Sequence, residues 1–91
     1  MAFVWDEKKA AHNLKKHSVS FTEAVTVFDD PLFLIAADDD HSEHERRFII
    51  LAESKRGRLL VVAYAKRETE IRIISAREAT RNERKNYEEE I

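Results

Sequence analysis

The sequence predicts an α+β domain, an antiparallel sheet with helices packed on it. Three observations carry this. Two helix starts with good capping residues follow the short apolar opening Phe3-Val4-Trp5. Apolar runs after residue 45 have strand rather than helix character and are separated by short turns. A charged, weakly apolar segment suited to a helix closes the chain. The order reads β-α-α-β-β-β-β-α. With 91 residues the chain is expected to form one domain, 1–91, burying roughly 60–65% of its unfolded surface.

Phe3-Val4-Trp5 is the first strand. Asp6 caps a helix over about Glu7–His17, with Ala10, Ala11 and Leu14 as its apolar stripe. Lys15, Lys16 and His17 fill the last turn, where cations complement the helix dipole, and Ser18 ends it. Ser20-Phe21-Thr22-Glu23 matches a capping box, with Val19 and Ala24 as the accompanying staple. Phe21, Ala24, Val25 and Phe28 line one face of this second helix, and Asp29-Asp30-Pro31 stops it. Leu32–Ile35 reads as a strand, followed by an acidic connection over Asp38–Glu45. Arg46–Glu53 and Arg58–Lys66 pair as a hairpin around Ser54–Gly57. Leu59–Ala63 is apolar at both parities, which fits a central strand covered on both faces. Glu70–Ser75 is the last strand, after a turn at Arg67-Glu68-Thr69. The last helix runs over about Glu78–Glu89 with a poor apolar face of Ala79, Tyr87 and Ile91.

The net charge of −2 hides a polarity. Residues 1–54 carry six Lys/Arg against eleven Asp/Glu; residues 55–91 carry ten against seven. The fourteen residues Ile71–Arg84 read as a strand leading into an arginine-rich helix, and the stretch holds Arg72, Arg77, Arg81 and Arg84. Guanidinium groups suit bidentate contact with phosphate or carboxylate, so this stretch points to RNA or an acidic partner. An ordinary helix laced with ion pairs accounts for it too, because Glu78 and Glu83 are interleaved. No run of 18 apolar residues spans a membrane, no signal peptide opens the chain and there is no cysteine, which fits a cytoplasmic protein.

CxxC, GxGxxG, P-loop and GxSxG motifs are absent, and one glycine leaves no phosphate-cradling loop. His41, His44 and Glu45 beside Asp38–Asp40 form a mixed set of metal-ligand types, but their spacing matches no strong signature and a solvated loop is the favoured reading. No cofactor is expected. Metal-free RNA cleavage is the sharper possibility. It needs a base for the 2′-hydroxyl proton, an acid for the leaving 5′-oxygen and cations for the charge on phosphorus. Arg72, Arg77 and Arg47 supply the cations, His17 is a candidate acid or base, and Glu45 a weaker candidate base. A helix-ending role for His17 and ion pairs for the arginines (Arg47 with Glu45 or Glu53, Arg72 with Glu70 or Glu83) account for the same residues. Trp5 and Tyr64 have the faces to stack on bases, though Trp5 is the better fit to the core beneath the first helix. Tyr87 is read as an anchor for the last helix rather than an acid.

An ordered set of residues runs nearly end to end: Phe3-x-Trp5-Asp6, Lys9, Asn13, Lys16-His17, Val19-Ser20-Phe21, Glu23-Ala24, Val27–Pro31, His41-Ser42, Glu45-x-Arg47, Gly57–Val61, Ile71–Arg77, Ala79-Thr80, Glu83-Arg84 and Tyr87-Glu88. In this set the chain resembles the BrnT toxins of bacterial type II toxin–antitoxin modules, which share the RelE-like ribonuclease fold. The resemblance implies a metal-independent endoribonuclease that blocks translation. A BrnA-like antitoxin with a ribbon-helix-helix-type DNA-binding domain would neutralise it in a 2:2 complex, and operator DNA would be reached only through that antitoxin. Carried over by position, Arg72 and Arg77 are the phosphate-stabilising residues, with Lys16, His17, Glu45 and Arg47 next. From the arginine-rich stretch, Arg81 and Arg84 are expected to join Lys16 as RNA contacts. Two departures point to a second reading, a catalytically weakened homologue that binds antitoxin in promoter autoregulation. Ser18 stands where the family usually has Gly, and family members are often more basic.

Overall fold

The computed structural model describes residues 1–41 and 45–90. Among these are five strands and three α-helices: β1 (Ala2–Val4), α1 (Glu7–His17), α2 (Phe21–Val25), β2 (Leu34–Ala37), β3 (Arg47–Glu53), β4 (Leu59–Lys66), β5 (Glu70–Glu78) and α3 (Arg81–Glu89). The predicted α+β class is the observed one. The strands form one sheet in the order β1-β5-β4-β3-β2. The sheet is mixed rather than antiparallel, because β1 runs parallel to β5 and pairs Ala2 with Glu70 and Val4 with Arg72. A strand that meets a segment far along the chain is free of the hairpin geometry that forces antiparallel pairing. No helix among the described residues is long and apolar enough to cross a membrane.

One face of the sheet makes the core. Ile50 and Ala52 of β3, Leu60, Val62 and Tyr64 of β4, and Ile71, Ile73 and Ala76 of β5 meet Val19, Phe21, Ala24 and Val27. Each large aliphatic or aromatic side chain buried there contributes about 1.5–3 kcal/mol. Tyr64 stacks on Phe48 and meets Phe28 edge-on, with ring centroids 5.5 and 5.1 Å away. It is 4% exposed, so it packs the core and has no face for a base. Trp5 packs edge-on to Phe21 at 6.1 Å.

Helix α1 docks differently from its apolar pattern. Leu14 is 51% exposed, and the buried residue is Asn13. Beyond β1, the outer edge of β5 would leave backbone groups unpaired. Asn13 meets this need as a strand would: its Nδ2 donates to the Ala76 carbonyl at 2.8 Å, and the Ala76 N–H donates to its Oδ1 at 3.1 Å. The same Nδ2 also donates to the Val19 carbonyl.

The capping box predicted at Ser20 is half formed. Ser20 Oγ accepts the Glu23 N–H at 3.0 Å, but the Glu23 carboxylate turns inward. There it accepts from Arg58 Nε at 3.0 Å and Ser54 Oγ at 2.7 Å. A buried carboxylate needs a cation more than it needs a cap. The reciprocal box lies instead at α3, between Thr80 and Glu83. That sets the start of α3 at Arg81 rather than Glu78, because β5 continues to Glu78 and the Ala79 N–H still donates to the Leu59 carbonyl. Tyr87 anchors the helix, donating its hydroxyl to Asp30 at 2.6 Å. Burial and the Asp30 carboxylate push this phenol up to about 12. Strand β2 starts at Leu34 rather than Leu32, since Asp30 holds residues 32 and 33 in a turn. The β3–β4 hairpin turns at Ser54–Gly57 as predicted, with Gly57 at a φ of +81° that favours glycine.

Candidate active site

The other face of the sheet is partly open. Pairing places its residues in three rows across β3, β4 and β5: Arg47–Ala65–Arg72, Ile49–Ala63–Ser75 and Leu51–Val61–Arg77. The middle row is small at Ala63 and Ser75, and the outer rows carry the arginines. Arg72 and Arg77 thus stand on either side of Ser75, roughly 15 Å apart along β5.

An odd separation of five residues would put Arg72 and Arg77 on opposite faces of a regular strand. A β-bulge between Ala63 and Tyr64 corrects this: Tyr64 pairs with Ile73 and Ala63 with Ser75, so Ile74 is the extra residue. Before the bulge Ile71 and Ile73 face the core; after it Ala76 does. The sequence carried a signal of this, the adjacent Ile73-Ile74, where the apolar parity changes from odd to even.

His17 and Lys16 reach the same trough from the end of α1. Together with Ile49, Val61, Ala63, Ser75, Ala76 and Arg77 they line a depression of about 430 Å³. The backbone that carries them is held in place. Ser18 ends the helix in a left-handed conformation, φ 58° and ψ 30°, and its N–H donates to the Leu14 carbonyl. Arg58 donates to the Ser18 carbonyl at 3.0 Å while it also pairs with Glu23. The Arg58 guanidinium outweighs burial and holds the Glu23 carboxyl below its ordinary value.

Both strand arginines are oriented by carboxylates. Arg77 makes a fork with Glu83 at 2.8 and 2.9 Å. The Arg77 guanidinium outweighs burial and, with the Thr80 N–H, draws Glu83 down to about 2. Arg72 pairs with Glu45, which Arg67 also contacts at 3.4 Å. Burial pushes the Glu45 carboxyl up, but Arg72 and then Arg67 outweigh it and hold it below the usual carboxylate range. The partner of Arg72 is therefore Glu45, not Glu70 or Glu83. Glu83 is committed to Arg77 and its helix cap, while Glu45 enters β3 beside the β4–β5 turn. Arg72 Nε is buried without an acceptor among the described residues.

The predicted residues thus fall into three groups. His17, Lys16 and Arg77 share the depression; Arg47 and Arg72 stand in the next row of the sheet, with Glu45 paired to Arg72. Arg81 and Arg84 lie apart, exposed on α3 outside the arc of Glu83, Asn86 and Tyr87 that faces the sheet. His44 of the metal set lies outside the described residues, and among these no group of three His, Cys, Asp or Glu comes together. Sequence reasoning missed the orienting role of Glu83, legible in Thr80-x-x-Glu83, and the small floor residues Ala63 and Ser75, which carry no local signal.

The fold is similar to that of the crystal structure of the Brucella abortus ribonuclease toxin BrnT. The TM-score is 0.68 over 89% of this chain and 99% of that one, at 19% sequence identity. No curated protein sequence matches the chain. Residues 5–83 match the family described as ribonuclease toxin, BrnT, of type II toxin–antitoxin system. A match over most of the length, on a fold shared with a solved member, means that the chain belongs to the BrnT family of ribonuclease toxins of type II toxin–antitoxin systems.

Proposed function

We propose that this chain is an endoribonuclease that cleaves RNA without a resident metal and thereby blocks translation. The observation that carries the reading is the trough itself, where Arg77, Lys16 and His17 line one depression and the row of Arg47 and Arg72 adjoins it. The scissile phosphate lies over Ser75, between Arg77 with Lys16 on one side and Arg72 with Arg47 on the other. Glu45, kept ionised by Arg72, accepts the 2′-hydroxyl proton. The 2′-oxygen forms its bond to phosphorus, the bond to the 5′-oxygen breaks, and His17 delivers a proton to that oxygen. The products carry a 2′,3′-cyclic phosphate and a 5′-hydroxyl. Guanidinium groups fixed beforehand by Glu83 and Glu45 stabilise the charge on the phosphorane without reorganising.

A type II toxin has an antitoxin. We assign it as a BrnA-like protein with a ribbon-helix-helix-type domain, in a 2:2 complex in the cytoplasm that reaches operator DNA through the antitoxin. Arg81 and Arg84 add RNA contacts from α3. Induced expression of the chain alone in bacteria, against an Arg77→Ala control, tests the reading. Growth arrest with RNA fragmentation is expected, and the control should lose about 10²-fold in cleavage rate with its fold intact. Purified protein should cleave equally well with a chelator present.

The engagement of both Arg72 and Arg77 by carboxylates favours a second reading, a weakened enzyme that serves as an antitoxin-binding module. Normal growth with intact RNA, from folded protein that still captures antitoxin, would establish it.

A further inference from the structure

A second depression, of about 310 Å³, lies between α1 and the bulged part of β5. It shares Lys16, His17 and Ser75 with the trough, so the two adjoin. Its other polar lining comes from Lys8, Lys9, His12 and Asn13, and none of the lining residues is acidic. Lys8, His12 and Lys16 recur every four residues, one stripe along the helix. Among the described residues none of these three, nor Lys9, is in an ion pair, whereas Arg58, Arg67, Arg72 and Arg77 all are. The two acids at the start of the helix are turned to other tasks: Asp6 caps the Lys8 and Lys9 N–H groups, and Glu7 accepts the Trp5 indole N–H.

The position of Lys8 and Lys9 opposes helix stability. They occupy the first turn of α1, where a cation meets the positive end of the helix dipole. A feature that costs the fold and faces a groove calls for an external anion.

We propose that this groove is a subsite for the RNA backbone flanking the scissile bond, with Lys8 and Lys9 as positioning residues for the neighbouring phosphates. The proposal rests on the ribonuclease reading of the trough. A single strand is the form that fits, since it can leave the sheet and bend along α1 with its phosphates toward the lysines.

The test compares wild type with Lys8→Ala/Lys9→Ala on a long single-stranded oligoribonucleotide and on a short one that fills only the trough. Wild type should prefer the long substrate through a lower KM. The variant should lose that preference while keeping its kcat and melting no lower than wild type. Its dependence of log KM on log salt should be shallower by about 1.4, or about 0.7 for each lost phosphate contact. A variant with wild-type KM and salt slope on the long substrate would overturn the subsite and leave the ribonuclease reading standing. So would a variant impaired only in capturing antitoxin. Wild type that cuts neither substrate would overturn the ribonuclease reading and the subsite with it.

Discussion

Ser18 occupies a left-handed conformation that costs a residue with a Cβ about 1 kcal/mol relative to glycine. The Arg58–Ser18 hydrogen bond holds the loop in this shape, so His17 is not left to drift. Ser18→Gly should stabilise the protein by about 1 kcal/mol in urea unfolding and leave cleavage within about twofold. A larger change in cleavage would mean that strain at this position tunes the site. Glu83 joins two jobs, orienting Arg77 and capping α3. Its folded value of about 2 lies below the ordinary 4.5, so its stabilisation is full above pH 4.5 and is lost as pH falls through 2. Glu83→Gln should cost about 1 kcal/mol at pH 7, allowing for its partial exposure. The gap between variant and wild type should close on acidification.

Helix α1 shows where the sequence was legible and where it was not. Its bounds were readable because Asp6 and the basic last turn act locally. Its docking face was not, because Asn13 is buried by what β5 lacks, a neighbour for Ala76, and that need is not visible in residues 7–17. The hairpin of β3 and β4 was read to within one residue at each start, since parity and Gly57 fix it. The parallel seat of β1 and the end of β5 depend on distant pairing and were missed. Of the site, the arginine-bearing strand was legible from composition, whereas the pairing of Arg72 with Glu45 depends on register. Asn13→Ala should cost about 3 kcal/mol, because it strands buried backbone groups at Ala76 and Val19. Amide hydrogen exchange at Ala76 should then accelerate well beyond that at Val62 in β4. Equal acceleration at both would show that α1 and the sheet open as one unit.

Across the whole molecule, ionisation bounds stability on both sides. Glu23, Asp30, Glu45 and Glu83 all sit below their ordinary values when folded, so acid removes their contribution. Tyr64 and Tyr87 are both raised. The neutral form of Tyr87 is favoured by folding, so its part is full below pH 10 and is lost as pH rises through about 12. Urea unfolding should therefore give a plateau near neutrality with an acid and an alkaline limb. Tyr87→Phe should lower the plateau by about 1–2 kcal/mol and flatten the alkaline limb, because the Asp30 bond is gone. A variant with an unchanged alkaline limb would assign that limb to Tyr64 alone. The single extra residue in β5 has a last consequence, one of inheritance. The bulge takes it out of the alternation, so every side chain after Ile74 points as it would in a strand one residue shorter. Loss of Ile74 would leave Arg72 and Arg77 four residues apart, a separation that a regular strand puts on one face, so Arg77 would stay outward and Ala76 inward. The lineage of this protein is therefore free to vary that residue or to shed it without reversing either face of the strand.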